Sequence, residues 1–194
     1  GGVTYFLMMP NLPGTIFVQR VIAGTESIPL LAIPFFVCAG VFMNYTGVTK
    51  RIMNFCSVLL GTFVGGLAQV AILLSTLMGG LSGSNLADAA MEAKMLVPEM
   101  TKRGFSLEFS SVVTATSAII TPLIPPGIAM IIYGSIANLS IGKLFVGGVG
   151  PGLLLCIAMM ILVSIISHRR GYKPIREKRA TPDEFFTALK AAFL

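Results

Sequence analysis

The sequence predicts an all-α, polytopic membrane protein, and three observations carry that prediction. Of the 194 residues, 55% are hydrophobic and only 11% are charged, against about 25% charged in an ordinary soluble domain. Mean hydropathy is +0.87. The charges gather in short clusters, leaving residues 27–49, 52–87, 109–142 and 144–167 without Asp, Glu, Lys, Arg or His. About 20 helical residues cross a hydrocarbon core about 30 Å thick. The first and last runs therefore suit one crossing each, while the middle two are too long for one simple crossing and must break. This composition excludes a soluble globular enzyme, a disordered tail and a nucleic-acid-binding module. The net charge of +6 is laid out as membrane topology, not as a phosphate-binding face.

The elements follow in chain order. Thr15–Ile22 reads as a short interfacial piece after a turn at Asn11–Gly14. Ile28–Met43 is a crossing in which Pro29 is harmless in the first turn and Pro34 introduces a kink. Thr62–Met78 is a membrane helix arm. Gly79-Gly80-Leu81-Ser82-Gly83-Ser84-Asn85 then interrupts it, because glycine disfavours a continued helix. Leu86–Val97 resumes and Pro98 ends it. That second arm of about 12 residues is about 18 Å long, too short to span. It also carries Asp88, Glu92 and Lys94, each costing several kcal/mol if it faces lipid. A re-entrant hairpin over about 62–98, buried in protein with its tip near mid-membrane, meets both constraints.

A second interruption follows. Leu107–Thr121 carries Ser110, Thr114, Ser117 and Thr121 at i, i+4, i+7 and i+11, one polar stripe on an apolar helix. Thr121-Pro-Leu-Ile-Pro-Pro-Gly127 breaks that helix and leaves the carbonyls of Ala118, Thr121 and Pro122 without helical donors. Ile128–Asn138 completes a discontinuous helix over about 107–138. A plain span over about 150–168 begins after the Gly147–Gly152 stretch. The basic stretch 169–179 leads to Thr181-Pro-Asp-Glu184, a capping box with proline at the first helical position. Phe185, Phe186, Leu189 and Phe193 share one face of the last helix, which reads as lying on the membrane surface.

Charge parity orients these pieces. With 62–98 as a hairpin, Lys50-Arg51, Lys102-Arg103 and the 169–179 cluster all face one compartment, the cytoplasm by the positive-inside rule, and Lys143 lies opposite. A single crossing at 62–98 would split the first two. Cys38, Cys56 and Cys156 read as small buried hydrophobes. His168 reads as interfacial, and Glu92 and Lys94 as lining the cytoplasmic part of the hairpin. The two ends of the sequence read as those of a piece of a longer protein.

Two interrupted elements point to a binding site. Half-helix C-termini and unwound backbone offer carbonyls that suit Na⁺, and half-helix N-termini offer N–H groups that suit an anion. The candidate residues are Ser82, Gly83, Ser84, Asn85 and Asp88 at the tip and Thr121, Pro125, Pro126 and Gly127 at the break. Asp88 lies in the first turn of its helix, where an acid also serves as a cap or structural group. Gly61 and Gly65 read as packing glycines.

Leu30-Leu-Ala-Ile-Pro-Phe-Phe36 with Ala39-Gly40 and Met43-Asn44, Ser82-Gly-Ser84 with Ala87-Asp-Ala-Ala90, Val97-Pro-Glu-Met100, and Ile124-Pro-Pro126 with Ile131-Ile-Tyr-Gly134 occur in this order. Together with Tyr172-Lys-Pro174, they resemble the large membrane subunit (DctM-type) of tripartite ATP-independent periplasmic (TRAP) transporters. The resemblance implies one half of an inverted-repeat elevator transporter. Residues 1–48 would be scaffold-type helices, 49–171 a transport-domain half, and 172–194 a basic cytoplasmic connector with its amphipathic helix. It implies Na⁺-coupled uptake of an organic acid, of C4-dicarboxylate or sialic-acid type, across the bacterial inner membrane. A periplasmic substrate-binding protein and a small TRAP membrane subunit would be partners, with no nucleic acid and no cofactor besides the coupling ion. It places Na⁺ contacts at Ser82, Ser84 and Asn85, with further ones around Thr121 and Pro125. Glu92 and Lys94, and Gly127 after the prolines, depart from the family pattern.

Two other classes were weighed. Gly80-Leu-Ser82-Gly83 matches the GxSG pattern of rhomboid-type intramembrane proteases, but that chemistry needs a histidine base beside the serine, and the single histidine, His168, sits at a membrane edge. A non-transporting structural subunit would leave the two interrupted helices without a purpose.

Overall fold

A computed structural model of the chain describes Thr4 and residues 13–26, 28–176 and 181–193. Residues 11 and 12 of the expected first turn and residues 177–180 of the basic connector lie outside the described residues. The described residues form helices without strands: α1 (Gly14–Thr25), α2 (Ile28–Tyr45), α3 (Val48–Leu60), α4 (Gly66–Ser82), α5 (Asn85–Lys102), α6 (Leu107–Ser117), α7 (Ile128–Ile136), α8 (Ile141–Arg169) and α9 (Pro182–Phe193), with a 3₁₀ turn at Thr121–Leu123. α8 is long and apolar enough to cross a membrane alone, and two bent pairs bring the number of candidate spans to at most 3. One bent pair is the expected discontinuous helix: Leu107–Leu123 and Ile128–Ile136 meet at 42°.

α4 is the centre of the bundle. Val70, Ala71, Ile72, Leu74 and Ser75 are fully buried, so most of this helix is covered by its neighbours, with Leu77 left exposed on one face. It runs antiparallel to α5, and the two arms return to the same end of the bundle. There, Arg176 N–H donates to the Gly61 carbonyl at 2.9 Å beside the start of α4, and Ser106 N–H donates to the Tyr172 hydroxyl at 3.3 Å just past the end of α5. Arg51 and Arg176 line one cleft between α3 and α9. The 29 residues of α8 separate Lys143 from this end by about 40 Å. The basic clusters thus share one end of the molecule and Lys143 the other, as charge parity requires.

Two helices stop there by the same device. α5 ends at Gly104 (φ +88), with Gly104 N–H bonded to Thr101 O at 3.0 Å and Phe105 N–H to Met100 O at 3.1 Å. α8 ends at Gly171 (φ +68), with Gly171 N–H bonded to His168 O at 3.2 Å and Tyr172 N–H to Ser167 O at 3.0 Å. Both are Schellman caps, in which a left-handed glycine lets the chain return its last N–H groups to the orphan carbonyls. The aromatic residue after each glycine then stacks on the other, Phe105 on Tyr172 at 4.3 Å.

Several expectations need correction. α4 does not stop at Met78 but continues through Gly79-Gly80-Leu81 to Ser82. Each glycine costs a helix about 1 kcal/mol, whereas a backbone group left unpaired in an apolar surround costs several, so the helix is kept. Pro98 does not end α5, which runs 18 residues to Lys102; the stop is Gly104. The second arm is therefore about 27 Å long, and shortness no longer argues for the hairpin, which rests on where the arms return. α6 ends at Ser117, one turn before Thr121. α8 begins at Ile141 and carries Pro151 inside it. α3 lies where no separate helix was expected; Thr49, Ile52, Cys56 and Leu60 give it one buried stripe. Cys38 is exposed while Cys56 and Cys156 are buried. The Glu184 carboxylate accepts from Arg176 at 2.9 Å. α9 packs on α3, with Phe55 and Phe185 at 5.8 Å, while Phe186 stays exposed.

Candidate functional site

The tip of the hairpin and the break after α6 lie directly against each other. The turn between the arms is only Gly83-Ser84. Gly83 adopts φ +61, which suits glycine, and a methyl there would also collide with the Pro126 carbonyl oxygen. Ile128 N–H, the first of α7, donates back to the Gly83 carbonyl at 3.4 Å. One turn earlier, a methyl on Gly79 would stand 2.9 Å from the Thr121 carbonyl oxygen. The two glycines that looked like helix breakers thus allow close backbone approach between the interrupted segments. The Pro125–Pro126 peptide bond is cis.

Side chains join the segments as well. Ser82 Oγ donates to Asp88 Oδ2 at 2.6 Å, and the Thr121 hydroxyl lies alongside the same carboxylate. Thr121 Oγ1 also reaches the Ser75 carbonyl at 3.3 Å. One helical turn further, Ser75 Oγ sits 2.7 and 2.8 Å from the two oxygens of Glu92, and Ser117 Oγ donates to Glu92 Oε2 at 3.2 Å. Asp88 is 1% exposed and Glu92 0%. Neither has a cationic partner among the described residues, whose ion pairs join Arg103 to Glu99 and Arg176 to Glu184.

Three spacings build this arrangement. Ser75 and Ser82, seven apart, share a face of α4. Asp88 and Glu92, four apart, share a face of α5. Ser110, Thr114, Ser117 and Thr121, all at most 1% exposed, supply the third face, so the expected stripe is the inward face of the broken helix. Ser75 and Glu92 were not expected here. Glu92 was read as lining the cytoplasmic part of the hairpin, but it sits between all three segments, while Lys94 is exposed. The i, i+4 spacing of the two acids was the signal in the sequence.

The other candidates fall as follows. Ser84 caps α5, accepting from Ala87 N–H at 3.5 Å, which leaves Asp88 as a structural acid and not the cap. Asn85 is exposed on the first turn of α5. Thr121 and Gly127 are buried, and Pro125 and Pro126 are half-buried. Oxygen dominates the set: hydroxyls of Ser82, Ser84 and Thr121, the Asn85 amide, and carbonyls of the proline segment. Among the described residues, no three His, Cys, Asp or Glu residues gather as a metal cluster. The serine of the GxSG sequence bonds a carboxylate, and His168 is exposed on α8 with its Nδ1 3.3 Å from the Ser164 carbonyl. Ser82 thus has a carboxylate and not His168 beside it.

Comparison with known proteins identifies a family and relatives. The family model described as "Tripartite ATP-independent periplasmic transporter, DctM component" matches residues 1–194. The sialic acid TRAP transporter large permease protein of Vibrio cholerae is 42% identical over 190 residues, 97% of this chain and 44% of that protein. The 2,3-diketo-L-gulonate TRAP transporter large permease protein of Escherichia coli is 42% identical over 183 residues, 92% of this chain and 43% of that protein. The C4-dicarboxylate TRAP transporter large permease protein of Pseudomonas aeruginosa is 34% identical over 167 residues, 86% of this chain and 39% of that protein. The chain spans less than half the length of these relatives.

Proposed function

The chain belongs to the DctM family of TRAP transporter large permeases, membrane transport components and not enzymes, and from that premise we propose that it forms the first half of a Na⁺-coupled organic-acid importer of the bacterial inner membrane. The relatives named for sialic acid and C4-dicarboxylate support an organic acid as substrate. A periplasmic binding protein delivers it, and a small membrane subunit braces the permease. The basic end of the bundle faces the cytoplasm, and α4–α5 is a re-entrant hairpin. Residues 49–171 move as a transport-domain half against residues 1–48 in an elevator cycle.

The packing of the hairpin tip on the proline break carries this reading. Two half-helix ends meet there with neutral oxygens between them, the arrangement transporters use for a coupling cation beside an anionic substrate. Ser82, Ser84, Asn85 and Thr121, with the freed carbonyls near Pro125, Pro126 and Gly127, would hold Na⁺. In the full-length permease reconstituted with its partners, Ser82→Ala and Thr121→Ala each raise the Na⁺ concentration needed for half-maximal uptake, by about fivefold for one net interaction. Asn85→Ala, at an exposed position, gives the smaller shift. Na⁺ dependence that stays the same in all three variants would rule these side chains out.

A further inference from the structure

Glu92 has no part in the proposed ion site, yet it is 0% exposed and meets both of the other segments. Its carboxylate is held by Ser75 of α4 at 2.7 and 2.8 Å and by Ser117 of α6 at 3.2 Å, while Glu92 itself belongs to α5. A buried carboxylate without partners is costly, so these hydroxyls and this acid hold one another in register. One turn toward the tip, Asp88 repeats the pattern with Ser82 and Thr121.

We infer that Glu92 is a positioning residue that ties both arms of the hairpin to the broken helix, so that the tip at 79–85 and the break at 121–127 keep their mutual geometry and move as one body. The role is an acceptor's role. The two hydroxyls need oxygen at that place, and glutamine supplies it where alanine does not. The inference rests on the proposed function only for its effect on ion affinity; the register itself is independent of which ion is carried.

The test is amide hydrogen exchange of the full-length permease in nanodiscs without Na⁺. Glu92→Ala raises exchange in both the 79–85 and the 118–127 peptides by about fivefold, the factor that one net hydrogen bond carries. Glu92→Gln stays within about twofold of wild type by the same measure. Ser117→Ala, which removes one donor and leaves the acid in place, raises exchange in the 118–127 peptide. In uptake, Glu92→Ala raises the Na⁺ requirement and Glu92→Gln restores it. Exchange that rises only within 85–102, or a glutamine variant as perturbed as the alanine one, would overturn the positioning role. Uptake that proves independent of Na⁺ would remove the proposed coupling and leave the exchange result to decide this inference.

Discussion

At the closed end of the hairpin, Asp88 and Glu92 are buried and held by serine and threonine hydroxyls. At the basic end of the bundle, Glu99 and Glu184 are half in solvent and held by Arg103 and Arg176, with side chains 41 to 52% exposed. The same chemical group meets a neutral partner where water is absent and a charged partner where water is present. Exposed pairs are screened and contribute about 0–1 kcal/mol. Removing one partner of a buried hydrogen-bonded carboxyl group leaves a polar atom unsatisfied, at about 1–3 kcal/mol. Rigidity is therefore concentrated at the tip and break, and the basic end is set more by stacking and backbone caps than by its ions.

Glycine at positive φ separates the two regions most sharply. Gly83→Ala must carry a left-handed backbone, costing about 1–2 kcal/mol, and must also displace the Pro126 carbonyl. Gly104→Ala has the same backbone burden, but nothing lies within 4 Å of the added methyl. Thermal unfolding of the full-length permease is expected to fall much further for the first than for the second, and equal losses would break the comparison. Next in size is Ser75→Ala, which removes a hydroxyl bonded to the Glu92 carboxyl group; unfolding measurements are expected to give a loss of about 1–3 kcal/mol. The smallest effect belongs to the surface. A double-mutant cycle of Arg176→Ala and Glu184→Ala is expected to return a coupling below about 1 kcal/mol that fades as salt is added. A coupling as large as the Ser75 effect would mean that the two ends are built alike.

Much of this was legible in the residues. The stripe at Ser110, Thr114, Ser117 and Thr121 is a long periodic signal, and the structure turns it inward. The prolines at 122, 125 and 126 broke their helix because three missing N–H groups fall within five residues, whereas the single prolines at 34, 98 and 151 stay inside theirs. Local propensity misled elsewhere. Gly79 and Gly80 stay helical, with Gly79 packed against Thr121 and Ile124 and Gly80 facing the Pro125 carbonyl, a packing written about 40 residues downstream. Pro98 costs one hydrogen bond, and α5 absorbs it and continues to its glycine stop. Glu92 was misplaced because its partners, Ser75 and Ser117, come from two other helices, and neither the lone Ser75 nor the stripe that holds Ser117 says locally which acid it meets.

The stacked pair at the basic end has a consequence for how the chain is made. Tyr172 accepts from Ser106 across 66 residues of sequence, and the intervening chain holds the whole broken helix and all of α8. The clasp on the end of α5 therefore cannot close until α8 has been fully synthesised. A nascent chain halted before Tyr172 would carry both arms without this clasp.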